Sequence, residues 1–271
     1  MVTTKFRQFT ILISTLPWMV GCFEPPEYPV SPQIEFNRVE FVDCSSPSVA
    51  DTLVVNINFT DGDGNLGVDG EDYSPPFNNR WYFRTTPASQ CEFGVVEPCS
   101  KIKRSSFDES KLSDFVTYKM RRTTPGYDTL PLFKTPYNCT NYQVVFDALL
   151  KPVDTVYFQL NKNFFNFFMD IYVKQNDGTF QKFDWSRQFT YPLCVADGSN
   201  GRFPILAKDN NLALRIPLEG TIRYRFPSTA LLATFSIKTL KLKIRIMDRD
   251  LNLSNEIETP EFTLQQVLVK C

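Results

Sequence analysis

The chain has 271 residues, 29 Lys and Arg against 30 Asp and Glu, a net charge of −1 and no histidine. This balance gives no electrostatic reason to expect a nucleic-acid partner. Without histidine a histidine-based hydrolytic triad is excluded and a zinc enzyme has little to work with; no Gly-rich phosphate loop follows a strand and opens a helix. Paired carboxylates could serve a glycosidase, but no pair is singled out. The expectation is a protein that is not an enzyme.

Lys5 and Arg7 open the chain, and Phe9–Leu16 (FTILISTL) is an apolar run too short to span a bilayer but suited to the middle of a signal peptide. Met19-Val20-Gly21-Cys22 follows. It resembles the bacterial lipobox, with an aliphatic residue three before the cysteine and a small one directly before it. The resemblance implies that residues 1–21 are a signal peptide and that Cys22 becomes the first mature residue and carries acyl chains. Met19 stands where Leu is usual. The competing reading is an ordinary secretory signal with Cys22 in a disulfide. No later run is long and apolar enough for a transmembrane helix, so lipid is the evident anchor.

Cleavage there removes Lys5 and Arg7 and leaves a mature charge of about −3. Residues 22–33 then form a lipidated tether, because Phe23–Gln33 (FEPPEYPVSPQ) holds four prolines and no periodicity. Glu24 and Glu27 resemble, weakly, the acidic export signal of Bacteroidota surface lipoproteins. That likeness implies an outer-membrane, lipid-anchored protein at the cell surface.

From residue 34 onward the pattern is β. Leu53, Val55, Ile57 and Phe59 alternate with Thr52, Val54, Asn56, Asn58 and Thr60. Ile222, Tyr224 and Phe226 alternate with Thr221, Arg223 and Arg225, and Leu240, Leu242, Ile244 and Ile246 with Lys241, Lys243, Arg245 and Met247. A period of two means one buried and one wet face. Further strands are expected at 34–43, 142–149, 154–161, 165–174, 179–189 and 257–269. Asp177-Gly178 marks a hairpin turn. No segment reads as a long amphipathic helix. The expected fold is all-β, an immunoglobulin-like antiparallel β-sandwich over 34–271.

An irregular insertion, about 71–141, is rich in Pro, Ser, Thr and Arg. It is read either as a recognition surface carried on a rigid scaffold or as an irregular edge. Besides Cys22 there are six cysteines, an even number that favours three disulfides in an exported chain. Cys91–Cys99 would close a short loop at little entropic cost. Cys44–Cys271 would join the first and last strands, which leaves Cys139–Cys194.

Two acidic loops share one spacing. Asp61-Gly62-Asp63-Gly64-Asn65 follows the strand that ends at Phe59, and Asp248-Arg249-Asp250-Leu251-Asn252 follows the strand that ends at Ile246. Both read D-x-D-x-N. Alternate oxygens in such a loop can converge on a hard cation, and calcium takes six to eight of them. If these are the second and sixth strands of the sandwich, both loops lie at one end. Asp61, Asp63, Asn65, Asp248, Asp250 and Asn252 could then share calcium. The bland alternative is that Asp and Asn simply shape turns. The first loop departs from an EF-hand, since Gly67 falls late and no glutamate closes the loop.

The run Asn58 to Gly67, and Ile246 to Asn255 followed by Thr259-Pro260, are similar to hallmarks of uncharacterised Bacteroidota surface lipoproteins. The likeness extends loosely over Phe168–Phe183 and does not cover the insertion. It implies a β-sandwich at the cell envelope, with the second motif before the last strand. The family carries no established chemistry.

Phe164, Phe165, Phe167 and Phe168 form either a sugar-stacking or docking patch or, by alternation, part of the core. Arg223, Arg225, Lys241, Lys243 and Arg245 suit an anionic partner or a solvated sheet face. The sequence therefore predicts a non-catalytic lipoprotein that binds a partner protein or a glycan. The alternative is an accessory subunit of an outer-membrane secretion, uptake or motility complex.

Overall fold

The computed structural model describes residues 27–44, 49–83, 113–130, 141–146, 149–185, 198–207, 215–227 and 231–271. It is an all-β sandwich with a third, smaller sheet at its side. The strands in chain order are β1 (Gln33–Asp43), β2 (Thr52–Asp61), β3 (Arg80–Tyr82), β4 (Tyr142–Phe146), β5 (Pro152–Leu160), β6 (Phe167–Lys174), β7 (Phe180–Lys182), β8 (Leu218–Pro227), β9 (Leu240–Ile246), β10 (Ile257–Glu258) and β11 (Leu268–Lys270). Two short helices, α1 (Met120–Thr123) and α2 (Leu231–Phe235), complete the described elements. No helix among the described residues is long and apolar enough to cross a membrane.

One layer of the sandwich has the order β11-β1-β2-β8, the other β10-β9-β6-β7. The alternating positions explain the pairing. Leu53, Val55, Ile57 and Phe59 of β2 meet Met169 and Ile171 of β6 and Leu242, Ile244 and Ile246 of β9 in one apolar cluster between the layers. Phe167 stacks on Tyr224, with ring centroids 3.9 Å apart, and so ties β6 to β8 across the two sheets. A buried aromatic of this size is worth about 3–5 kcal/mol against truncation to Ala.

The outer face of β2 differs from the expected wet face, since Val54 and Asn56 are also buried. Val54 lies in register between Glu40 and Arg225, and Asn56 between Arg38 and Arg223. Long charged side chains cover their neighbours with their hydrocarbon stems. The wet faces of β8 and β9 are charged and largely paired, Arg223 with Glu40, Lys241 with Glu258, and Lys243 with Glu256 and Glu258.

The Asp177-Gly178 turn joins β6 to β7, with Gly178 at φ +84° and Gln175 N donating to Thr179 O at 2.7 Å. The stretch 257–269 is not one strand. It divides into β10 and β11 around Pro260, which has no N–H for a ladder, and a turn in which Thr263 N donates to Gln266 Oε1. β11 then returns parallel to β1, the one exception to antiparallel pairing among these sheets. Cys44 and Cys271, just past the ends of these neighbours, are joined by a disulfide. Cys22, Cys91, Cys99, Cys139 and Cys194 lie outside the described residues.

Strands β4 and β5 do not join the sandwich. They pair with β3, from the expected insertion, as the sheet β3-β5-β4. Residues 115–118 of the insertion lie on this sheet, with Thr117 bridged to Val156. The unit has its own small cores, one around Tyr82, Phe115, Val145, Val156 and Phe158 and one around Phe83, Val116, Leu130, Tyr142 and Tyr157.

Candidate cation site

The loops after β2 and β9 meet at one end of the sandwich. One carboxylate oxygen from each of Asp61, Asp63 and Asp248 lies within 4.8 Å of the others. Two oxygens bound to one calcium at about 2.4 Å can be at most about 4.8 Å apart, so this spread fits a shared ion. Asp61 closes β2 and is wholly buried, as is Asp248.

The backbone explains the convergence. Gly64 takes φ +66°, and a side chain there would strike Ile216 O at 2.0 Å. A side chain at Gly62 would strike Tyr28 O at 2.2 Å. The first loop is thus wedged between the start of the domain and the 215–217 segment. Asn65 N donates to Asp61 Oδ2 at 3.1 Å and folds the loop back on its first residue. The second loop is pinned the same way, with Asn252 N and Nδ2 donating to the two oxygens of Asp248 at 2.7 and 2.8 Å. Arg249 N donates to Asn65 O at 3.3 Å and links the loops.

Three oxygens in this pocket are buried and unpartnered: Asp61 Oδ1, Asp63 Oδ1 and Asn65 Oδ1. Asn65 is only 2% exposed. Buried acceptors without donors are costly, and carboxylates more so. Burial, then the nearby charge of Asp63, pushes the Asp61 carboxyl up to about 7. Burial also raises Asp248, partly opposed by the Asn252 hydrogen bonds. An all-oxygen set suits a hard cation such as calcium rather than zinc or copper.

The six residues expected to share the ion divide into two groups. Asp61, Asp63 and Asp248 come together, with the free oxygen of Asn65 beside them. Asp250 and Asn252 have other work. Arg215 Nη1 bridges Asp63 Oδ2 at 2.7 Å and Asp250 Oδ2 at 2.9 Å, which holds the Asp250 carboxyl below its ordinary range. Asn252 spends its amide on Asp248. Sequence reasoning missed Arg215, because no spacing ties it to either loop.

The remaining sequence candidates are dispersed. Phe167 is core, whereas Phe164 packs on Tyr73 with Arg202 4.9 Å above its ring. Phe168 lines an open cleft of about 390 Å³ beside the second acidic loop, with Lys162, Asn163, Arg245, Met247, Leu251 and Leu253. Comparison with known proteins finds no matching family, no matching curated protein and no matching solved structure.

Proposed function

We propose that the chain is a non-catalytic lipoprotein of the cell envelope, held to the outer membrane by acyl chains on Cys22 and clamped by one calcium ion between its two acidic loops. The observation that carries the calcium reading is the set of buried, unpartnered oxygens on Asp61, Asp63 and Asn65 beside Asp248. A divalent cation supplies the missing partner to all of them and cancels the repulsion.

The working surface faces a protein partner rather than a glycan. Tyr73 is the one exposed large aromatic among the described residues, so no aromatic row for sugar stacking supports the glycan reading. The turn between β4 and β5 instead holds out Leu149 and Leu150, 75% and 81% exposed. Exposed aliphatic side chains on the end of a small sheet suit a protein contact, including a place as accessory subunit in an envelope complex.

Calcium is tested by thermal melting in calcium and in chelator. Ligand present at about 100 times its Kd stabilises by about 2.7 kcal/mol, which raises the melting temperature by several degrees. The substitution Asp61→Asn keeps the shape and removes the buried charge. It should abolish most of the calcium effect yet leave the chelated protein no less stable than wild type. A wild-type melting temperature indifferent to calcium overturns the site. The anchor is tested separately: Cys22→Ser protein should be released from membranes or left uncleaved.

A further inference from the structure

Within the stretch expected to be an extended, lipidated tether, Tyr28 and Pro29 lie against the domain. The Tyr28 hydroxyl donates to Glu219 Oε2, and Gly62 N donates to Pro29 O at 2.8 Å. The chain therefore leaves the domain directly over the first acidic loop. Only six Cα–Cα steps separate Cys22 from Tyr28, a reach of at most about 22 Å at 3.6 Å per step. The sandwich is longer than that, since a ten-residue strand such as β2 spans about 33 Å.

The same end carries an apolar rim. Val30 adjoins the docked Pro29, Ile216 packs its backbone on Gly64, and Leu251 and Leu253 belong to the second loop and its exit. Each is between 37% and 57% exposed. Beside them lies the cleft with an apolar wall of Phe168, Met247, Leu251 and Leu253 and two cations, Lys162 and Arg245. Arg245 also reaches Glu256 at 3.6 Å, while Lys162 stands exposed. The cleft thus sets apolar side chains beside Lys162 and Arg245, a combination that suits the boundary between acyl chains and phosphate headgroups.

We propose that the calcium-loop end of the sandwich lies on the bilayer, with Val30, Ile216, Leu251 and Leu253 set among the headgroups and Lys162 and Arg245 on lipid phosphate. This rests on acylation of Cys22. The occupant is fixed by the length of chain between the anchor and the docked residues, and by the charge of the cleft. Calcium governs the contact, because the carboxylates of Asp61, Asp63 and Asp248, of which only Asp63 meets a cation among the described residues, in Arg215, would repel anionic headgroups and a bound divalent ion would offset that charge.

The test uses the full-length acylated protein in vesicles of phosphatidylcholine and phosphatidylglycerol, with brominated acyl chains as quencher. Leu253→Trp and Ile216→Trp report on the calcium end. Ile237→Trp reports on the opposite end, since Ile237 precedes β9 and is 93% exposed. In calcium, the emission added by Leu253→Trp and Ile216→Trp should be quenched and blue-shifted, that of Ile237→Trp unchanged, and chelator should reverse the quenching. Lys162→Glu should weaken it. Mass spectrometry of the mature N-terminal peptide reads the anchor independently. An unacylated Cys22 overturns anchor and docking together. An acylated protein in which neither calcium-end tryptophan is quenched, or in which the Ile237→Trp emission is quenched equally, overturns the docking alone.

Discussion

Without a cation, the Asp61 carboxylate is met only by backbone amides of its own turn and faces Asp63 and Asp248. Its pH behaviour follows. The unfolded chain loses this proton near the ordinary carboxylate value, roughly 4, while the folded, chelated protein keeps it up to about 7. Between those values the folded state binds more protons than the unfolded state, so stability falls as pH rises. In chelator the melting temperature should therefore decline from about pH 4 to about pH 7 through this group and then level. Saturating calcium should remove the decline, because the ion displaces the proton. A chelated Asp61→Asn protein should show a shallower decline than wild type; equal slopes would sink the assignment.

Several asparagines act as pieces of backbone where strands end or begin. Asn166, fully buried just before β6, donates to Phe203 O at 2.9 Å and accepts from Phe203 N at 2.8 Å. Asn255 does the same for Ile34 in β1. Thr259 Oγ1 accepts from Leu242 N where β10 gives out. These contacts explain part of the second motif: Asn255 and Thr259 hold strands, not metal. Asn166→Ala leaves a buried N–H and carbonyl unpaired, at about 1–3 kcal/mol per lost partner. Chemical denaturation should find a loss of about 2–6 kcal/mol. A loss well under 1 kcal/mol would mean that neighbouring groups re-pair the Phe203 backbone.

At the scale of the molecule, the Cys44–Cys271 disulfide and the meeting of the two acidic loops each join segments far apart in the chain. Cys44–Cys271 ties the first strand to the last across a sequence separation of 227. Breaking such a bridge costs about 2–5 kcal/mol. Cys44→Ser and Cys271→Ser should lower the melting temperature equally, and the double substitution should add nothing further. Additive losses would show that the two cysteines act apart. The two acidic loops bring together the ends of β2 and β9, which lie in different sheets, and the proposed calcium would clamp them. Chelation should therefore loosen the sandwich at that end first. Amide exchange should rise at residues 61–67 and 247–254 while β6 stays protected.

The sequence alone determined the β class, the inward faces of β2, β8 and β9, the Asp177-Gly178 turn and the two acidic loops. These are local signals, in which side-chain alternation, a glycine at positive φ or an Asx turn is written within a few residues. Only tertiary structure decided which aspartates converge. That choice depends on how β2 and β9 cross from separate sheets, and on Arg215, distant in the chain, taking Asp250 out of the cluster. It also moved β4 and β5 into a third sheet with the insertion, buried the outer face of β2 beneath long charged neighbours, and set Tyr28 and Pro29 against Gly62. Each outcome is set by what packs against a segment from elsewhere in the chain, and no period or spacing within the segment encodes that partner.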